Sequence, residues 1–380
     1  MNIKQVKARK VFDMQFPELD EIIINHVDYD DLISNPKFKK GWLSITSLVH
    51  HKASDDIYVG TSSLCGEILW KLDRKTGEIT SCGYEKICDQ YDAKFHRALE
   101  IDGDSIYGGI ALFHDVDKQF DAKGGRIIRY DIPSESFEIL GIPMERIYIQ
   151  AFAHDPKRGK LYGYGAVPEV FWEFDIEQKK ITFMAYIGSG IEFAGAHNPR
   201  LDKDGNVWFT YGITRAFAYQ TGPDAIRIMK YDPSDKTITF FKHGFPTYGG
   251  PGKGRPDNML LGPDGMIYVG TTDGVLARLD PATGDVEDLG SPVGKPRLGG
   301  FAFHPDNGLL YGISGEGDGT VELFCYDTAK KQYLWHEPIE DSDGERPVRI
   351  HHMIITPDGT IYAGENDNGT RSSHVWEIKI

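Results

Sequence analysis

The chain has only four cysteines, and Cys65, Cys82, Cys88 and Cys325 follow no spacing typical of a metal site or a redox motif. No apolar run reaches transmembrane length, and the first residues, MNIKQVKARKVFDMQF, lack the apolar core of a secretory signal. Basic residues are the minority, with 42 Lys and Arg against 57 Asp and Glu and a net charge of −15. We therefore expect a cytoplasmic protein with free thiols, and neither nucleic acid nor an anionic membrane as its general partner.

A helical period of apolar residues is also missing. Short β-branched and aromatic runs, bounded by Gly, Asp or Pro, take its place and predict strands. One strand–turn–strand phrase recurs seven times. Its copies are TPDGTIYAG (356–364), GPDGMIYVG (262–270), DKDGNVWFT (202–210), HPDNGLLYG (304–312), HDPKRGKLYG (154–163), IDGDSIYGG (101–109) and KASDDIYVG (52–60). The third run of most repeats ends in an Asp, which we expect to open the next turn.

Repeats spaced by about 40–50 residues are typical of β-propeller blades. We predict an all-β fold, a seven-bladed β-propeller of four-stranded antiparallel blades, as one domain spanning residues 1–380. The last repeat lacks its fourth strand, whereas residues 1–40 contain an unassigned strand at 7–14. We expect that N-terminal strand to close the ring, because pairing it removes both open sheet edges.

In a propeller the first strand of each blade lines the central channel, so residues at one offset from the turn form a ring. Five positions before the turn proline lie Ser47, His96, Ala151, Asn198, Asn258, Gly300 and His352. Six positions before it lie Thr46, Phe95, Gln150, His197, Asp257, Gly299 and His351. The residues one step further along the strand are mostly apolar. We predict that the polar rings form a wet, functional mouth.

Three arginines lie in register on consecutive blades, eight positions before the turn: Arg255, Arg297 and Arg349. They predict a basic wall that binds a carboxylate or sulfate, since Arg presents a bidentate fork to such anions. The alternative is three solvated loop arginines. Loops between second and third strands should open on the same face, and they add His114, Tyr164, Glu169 and Arg215.

Two chemistries fit this set of residues. His197, His351 and His352, completed by Gln150 or Asp257, could hold one divalent metal ion such as Mn, Ca or Zn. Alternatively, a His and a Tyr beside a bound carboxylate could transfer protons. β-Elimination from a uronate requires proton transfer of this kind, together with an Arg that neutralises the carboxylate of the sugar.

The repeat resembles the seven-bladed propeller lyases that act on uronate glycans, namely ulvan lyases, rhamnose–glucuronate lyases and oligogalacturonate lyases. Locally the resemblance lies in His96 of FHRALEID and His114 of ALFHDVD, at the two ends of one hairpin. It implies that this pair is catalytic, together with a Tyr and an Arg from later blades, for which Tyr164 and Arg200 are the nearest candidates. The oligogalacturonate lyases instead imply a metal bound by His and Gln.

The resemblance implies an acidic oligosaccharide as the substrate. Its expected contacts are Gln150, His197, Asn198, Arg215, Arg255, Asn258, Arg297 and Arg349. A lyase that degrades uronate-containing carbohydrate is the first hypothesis.

Three other functions stay open. A glycoside hydrolase would need convergent carboxylates, for which Asp257, Glu169, Asp115 and Asp117 are the few candidates. A related rhamnosidase family works from the opposite face, where His50 and His51 would lie. A non-catalytic binding platform predicts an apolar or mixed face. A lactonase-type metal hydrolase would use Asn198, Asn258 and Asp257.

Overall fold

A computed structural model describes residues 2–16, 34–112, 121–166, 168–188, 195, 197–213, 225–248, 254–294, 297–316 and 320–380. The chain divides into two compact units. One comprises residues 1–149, 317–321 and 337–380, and the other comprises residues 150–316 and 322–336. The expectation of a single domain stays a prediction. No helix among the described residues is long and apolar enough to cross a membrane.

The first unit begins with strand β1 (Gln5–Lys10) and a short helix, α1 (Pro36–Gly41). Blade 1 is built from β2 (Leu43–His51), β3 (Asp56–Ser63), β4 (Leu69–Leu72) and β5 (Ile79–Ser81). A single 3₁₀ turn (Tyr84–Lys86) then leads to the next blade. Blade 2 is built from β6 (Asp92–Asp102), β7 (Ser105–Leu112), β8 (Ile127–Asp131) and β9 (Ser136–Gly141).

The second unit holds blades 3 to 6, apart from the outermost ends of β10 and β25. Blade 3 is built from β10 (Tyr148–Asp155), β11 (Lys160–Ala166), β12 (Glu169–Asp175) and β13 (Lys180–Gly188). Blade 4 is built from β14 (Arg200–Leu201), β15 (Val207–Gly212), β16 (Ile226–Asp232) and β17 (Thr237–Phe240). Blade 5 is built from β18 (Pro256–Leu261), β19 (Ile267–Thr271), β20 (Leu276–Leu279) and β21 (Val286–Asp288). Blade 6 is built from β22 (Leu298–Phe303), β23 (Leu310–Ser314), β24 (Glu322–Asp327) and β25 (Gln332–Pro338).

Blade 7, in the first unit, is built from β26 (Ile350–Ile355), β27 (Ile361–Glu365) and β28 (His374–Lys379), and β1 supplies its fourth strand. The strand order is β1-β28-β27-β26, with Ala8 opposite Trp376. The predicted seven-bladed, all-β propeller, closed by an N-terminal strand, is therefore confirmed. The closing strand ends at Lys10 and not at residue 14, because Val11 and Phe12 pack onto the core of blade 1.

The repeated aspartates that end the third strands behave as predicted. In each case one carboxylate oxygen accepts a backbone N–H two or three residues further on, which fixes the turn. The six residues are Asp73, Asp131, Asp175, Asp232, Asp280 and Asp327. The turn into the fourth strand is thus specified by local side-chain chemistry.

Glu365, at the end of β27, is a fully buried carboxylate that joins the parts of blade 7. Its two oxygens accept hydrogen bonds from Arg371 Nη1 at 2.7 Å and Nη2 at 3.1 Å. The backbone N–H groups of Val348 and His374 donate to the same carboxylate at 3.1 and 2.9 Å. Asn368 Nδ2 adds a further bond at 2.9 Å. A buried charge is tolerated when it is paired and fully hydrogen-bonded in this way.

His374 lies in the same region and is buried in a neutral state. Burial, and then the nearby charge of Arg371, lower the pKa of its imidazole to about 4. Neither ring nitrogen has a hydrogen-bond partner among the described residues, and Nε2 lies 3.7 Å from Glu345 Oε2. His374 therefore resists protonation in the folded protein but not in the unfolded chain.

We expect His374 to make the protein less stable in mild acid. The pKa of His374 is lower in the folded protein than in the unfolded chain. Its contribution to the free energy of unfolding is therefore complete above the pH range in which an ordinary His titrates, and it is lost as the pH falls through that range toward the pKa of the folded state. Between about pH 7 and pH 5 the loss should be about 2 kcal/mol. Urea unfolding at both pH values measures it. Between these pH values the variant His374→Gln should lose less stability than the wild type, by that amount. The variant of an exposed histidine, His336→Gln, should lose as much as the wild type. Equal losses in all three proteins would show that His374 does not cause the acid sensitivity.

Candidate functional site

The first strands of four blades contain a bulge at the same offset from the turn. The pairing of β2, β18, β22 and β26 with the following strand skips one residue in each case. The skipped residues are Thr46, Asp257, Gly299 and His351, all six positions before the turn. A bulge changes the direction of a side chain and is common beside functional sites. One of the two predicted rings therefore coincides with a regular distortion of the sheet.

Most of the polar ring residues are buried, so the predicted wet mouth is wrong in this respect. His96, Gln150, His197, Asn198, Asp257 and His351 are all less than a tenth exposed, whereas His352 is half-buried. His197 contacts both Gln150 and Asp257, Asn198 bonds Asn258, and His351 bonds Arg97, as buried polar groups require. The rings are thus hydrogen-bonded networks, one described in each unit.

In the first unit, hydroxyl side chains of β2 bond the backbone of β6. Thr46 Oγ1 donates to the carbonyl of Phe95, and Ser47 Oγ donates to the carbonyl of His96 at 2.6 Å. The backbone N–H of Leu48 donates to His352 Nδ1 at 3.1 Å, so that nitrogen is an acceptor. These bonds tie the first strands of neighbouring blades together.

Predicted catalytic residue His96 lies beside His351, with ring centroids 5.0 Å apart. Arg97 Nε donates to His351 Nδ1 at 2.9 Å, and the Thr46 carbonyl oxygen lies 3.1 Å from the same nitrogen. The other half of the predicted pair, His114, lies outside the described residues. Its pairing with His96 therefore stays a prediction.

Sequence reasoning missed Arg97, which lies at an offset where the other blades carry mostly apolar residues. The signal was present, because one charged residue interrupts an otherwise apolar ring. Arg97 is buried and contacts a ring histidine.

Arg349, at the predicted wall, donates to Asp367 Oδ2 at 2.6 Å. Its positive charge is therefore already paired with a carboxylate.

In the second unit, His197, Asp257 and Arg297 form a chain of charged and polar contacts. His197 is 3% exposed and Asp257 is fully buried. His197 Nδ1 lies 2.7 Å from Asp257 Oδ1, and Arg297 Nη2 donates to the same oxygen at 3.1 Å. Arg297 Nε approaches Asp257 Oδ2 at 2.7 Å as an ion-pair contact. Residues from three consecutive blades therefore meet at one carboxylate.

The backbone of Arg297 adopts φ 64°, in the left-handed region that non-glycine residues rarely occupy. Its N–H donates to the Thr272 carbonyl at 3.1 Å, which holds this conformation. Such a conformation costs on the order of 1–3 kcal/mol and is concentrated at functional sites. The residue in this rare conformation is also the one whose guanidinium contacts Asp257.

Gln150 contacts His197, and Asn198 and Asn258 directly follow His197 and Asp257 in the chain. Gln150 Nε2 lies 3.5 Å from His197 Nε2, on the side of the ring away from Asp257. Asn198 Nδ2 donates to Asn258 Oδ1 at 2.5 Å, and Asn258 Nδ2 contacts the Phe301 carbonyl at 3.5 Å. The predicted substrate contacts Gln150, His197, Asn198 and Asn258 are thus brought together in one unit.

Tyr164 and Glu169 have a positioning role in this geometry. Tyr164 is fully buried and its hydroxyl donates to the Gly195 carbonyl at 3.2 Å. Glu169 Oε1 accepts the Gly195 N–H at 2.7 Å. A Cβ at Gly195 would lie 2.6 Å from the Tyr164 ring, so only glycine fits there. The two side chains therefore hold the backbone two residues before His197, and the predicted catalytic role of Tyr164 gains no geometric support.

Arg200, which was predicted as a catalytic residue, makes a structural contact. Arg200 Nε donates to the Met259 carbonyl at 3.1 Å, which is a structural bond between β14 and β18. Arg215 lies outside the described residues. Arg200 therefore stays a catalytic prediction without a contact that supports it.

The predicted metal site gains no support from the described residues. No group of three or more His, Cys, Asp or Glu residues in the described ranges could hold a metal ion. The Arg97 charge also opposes a cation at His351.

The histidines at the turn end of β2 have ordinary structural partners. His50 Nε2 lies 2.8 Å from Asp55 Oδ1, and His51 Nε2 lies 2.9 Å from Asp104 Oδ1. Both aspartates belong to neighbouring turns. This arrangement adds no support to a site on the opposite face.

The comparisons with known proteins show the fold alone. No family model and no curated protein matches the chain. Among solved structures it is similar to the extracellular domain of the BT4673 two-component system of B. thetaiotaomicron, with TM-score 0.57 and 12% identity over 87% of this chain. This chain spans 38% of that domain's length. It is also similar to a chain of the mitotic checkpoint complex, with TM-score 0.58 and 12% identity over 88% of each chain.

A third similar structure is the WD40 repeats of RRP9, with TM-score 0.57, 14% identity and coverage of 88% of this chain and 94% of that one. At such identities the activities and partners of these proteins do not transfer, because propellers host many unrelated functions. The architecture is that of a β-propeller, and the function has to be argued from the site.

Proposed function

We propose that this protein is a carbohydrate-active lyase that cleaves uronate-containing oligosaccharides by β-elimination, with His197 as the proton-transfer group. The observation that carries the proposal is the 2.7 Å contact between His197 Nδ1 and the buried Asp257 carboxylate. A carboxylate can only accept, so it holds the neutral imidazole with Nδ1 protonated and leaves a lone pair on Nε2. Nε2 is then the basic nitrogen of the site.

β-Elimination breaks the C5–H bond of the uronate, forms a C4–C5 double bond and expels the C4 oxygen with a proton. The base must take the C5 proton, and a cation must neutralise the carboxylate so that this proton becomes acidic. His197 Nε2 can take the proton, and the imidazolium that results is stabilised by Asp257. The same imidazolium can return the proton to the leaving oxygen, so the balance needs no further reagent.

Gln150 marks where the substrate would approach. Its amide lies 3.5 Å from His197 Nε2, a distance too long for a strong hydrogen bond. A ligand must displace this contact, because His197 is 3% exposed. The Gln150 amide then binds a hydroxyl of the sugar.

The carboxylates support a lyase better than a hydrolase. Hydrolysis needs a pair of carboxyl groups that act as acid and base or nucleophile. Asp257 is engaged by His197 and Arg297, and Glu169 holds the Gly195 N–H. Both carboxylates are therefore already committed to contacts that orient other groups. The remaining candidates, Asp115 and Asp117, lie outside the described residues.

The test is incubation of the purified protein with a panel of uronate oligosaccharides. Elimination produces an unsaturated uronate that absorbs in the ultraviolet, together with new reducing ends. We expect both signals to rise in parallel on at least one substrate. Reducing ends without absorbance would show hydrolysis, and binding without either signal would show a non-catalytic platform; each result would overturn the proposal.

A further inference from the structure

Arg255 differs from the other two arginines of the predicted wall. Arg297 pairs with Asp257 and Arg349 pairs with Asp367. Arg255 Nε is buried and has no hydrogen-bond partner among the described residues. Leaving a buried polar group unpaired costs about 1–3 kcal/mol, and more if it is charged. Arg255 is therefore the wall arginine with bonding capacity left for a ligand.

Thr272 faces Arg255 across the open end of β18 and β19. Its backbone N–H donates to the Arg255 carbonyl at 3.0 Å, one step beyond the Pro256–Thr271 pair. Residues directly opposite in an antiparallel pair place their side chains on the same face, about 5 Å apart. Thr272 Oγ1 is also buried without a hydrogen-bond partner in the described part of the chain. Two residues with unused bonding capacity are thus paired through their backbones at this end of the blade.

This pair adjoins the proposed catalytic centre. The Thr272 carbonyl accepts the Arg297 N–H at 3.1 Å, and Arg297 contacts Asp257. Arg255 precedes Asp257 by two residues in the chain. An anion held by Arg255 and Thr272 would therefore lie close to the residues that orient His197.

The next residue, Asp273, fixes an aromatic side chain at the same end of the blade. Its carboxylate accepts the backbone N–H of Tyr248 at 2.8 Å and that of Gly254 at 3.2 Å. The hydroxyls of Thr247 and Thr271 donate to it at 2.8 and 2.7 Å. Tyr248 is 63% exposed although its backbone is held in place. An exposed aromatic ring on a tethered backbone provides a flat apolar surface for a ligand.

We infer that Arg255, Thr272 and Tyr248 form a subsite for an acidic sugar. The guanidinium and the threonine hydroxyl bind the oxyanion of the sugar, and the Tyr248 ring covers its C–H face. The oxyanion is a carboxylate or a sulfate ester, since the Arg fork fits both. The kind of ligand rests on the proposed function, but binding at this subsite does not require turnover.

Isothermal titration of the full chain with glucuronic acid, glucose 6-sulfate and glucose tests the subsite. We expect an acidic sugar to bind and glucose to bind at least tenfold more weakly. The variant Arg255→Ala should weaken binding of the acidic sugar at least tenfold. Arg255→Lys should bind the acidic sugar more tightly than Arg255→Ala but less tightly than the wild type. Lys keeps the positive charge but lacks the two-pronged donor geometry of the guanidinium. Thr272→Val and Tyr248→Ala should each weaken binding severalfold.

The matched control is Arg278→Ala, which removes the same charge from the same blade. Arg278 pairs with Glu287 on the outer strands, 2.7 Å away, so its loss should leave sugar binding unchanged. Stronger binding of glucose 6-sulfate than of glucuronic acid would identify a sulfate ester as the source of the anion.

Two results would overturn the subsite. One is equal affinity of the wild type and folded Arg255→Ala for the acidic sugar. The other is the absence of binding, or of any preference for the acidic sugars over glucose, in the wild type. Acidic-sugar binding that depends on Arg255, without any unsaturated product, would instead overturn the proposed lyase function and leave the subsite in place.

Discussion

Replacing His197 by asparagine is expected to lower turnover of a uronate oligosaccharide by about 10²–10⁴-fold, the usual contribution of a positioned acid–base group. The asparagine amide can still donate to Asp257, so the buried carboxylate keeps a partner in place of His197 Nδ1. It has no counterpart of the basic Nε2. The protein should therefore remain folded while the proton-transfer step fails, and kcat should fall much more than KM changes.

The control for His197→Asn is His336→Asn, because His336 is an exposed histidine on β25. This variant should keep wild-type kinetics. Steady-state rates of unsaturated product, measured across pH beside thermal melting curves, separate the outcomes. If His197→Asn retains near-normal turnover on a substrate that the wild type cleaves, His197 is not the base. The predicted pair of His96 and His114 then becomes the next place to test.

Replacing Glu365 by glutamine is expected to lower the free energy of unfolding by about 3–5 kcal/mol, the usual cost of removing one partner of a buried ion pair. The substitution keeps the size of the side chain but removes the carboxylate that pairs with buried Arg371, whose Nε keeps a weaker contact with Glu345 Oε1 at 4.0 Å. It also turns an NH₂ group toward the N–H donors of Val348 or His374, which bond the carboxylate at 3.1 and 2.9 Å. The loss should be seen in urea unfolding at neutral pH.

Glu340→Gln is the control for this substitution. Glu340 pairs with Arg346 on the surface, where both side chains are exposed, so its removal should cost no more than about 1 kcal/mol. A similar small loss in Glu365→Gln would mean that the buried network contributes little. Blade 7 would then depend mainly on the pairing of β1 with β28.

The elements that the sequence predicted share one property: they depend on local chemistry. Pro-Asp-Gly and related turns, alternating strands and the aspartate after each third strand act within a few residues. Repetition then extends each local assignment to seven blades. The closing strand was predictable for a related reason, because an incomplete last repeat leaves a sheet edge that has to be paired.

The site was only partly predictable. The register placed Gln150, His197, Asn198, Asp257 and Asn258 at corresponding positions, and the structure brings them together in the second unit. It did not predict that these residues would be buried, because burial depends on how neighbouring strands pack. It also did not distinguish Tyr164 as a positioning residue, since a buried and an exposed tyrosine look the same in a strand pattern.

The sequence by itself determined the blade number, the turns, the closing strand and the positions where polar residues interrupt the first strands. Only the tertiary structure decided which of those residues bond one another. His197 and Asp257 are sixty residues apart and meet at 2.7 Å because a bulge in β18 turns one of them. The structure also decided that Arg297 and Arg349 are paired with carboxylates, whereas Arg255 Nε has no hydrogen-bond partner among the described residues, since contacts between distant strands leave no periodic signal in a sequence.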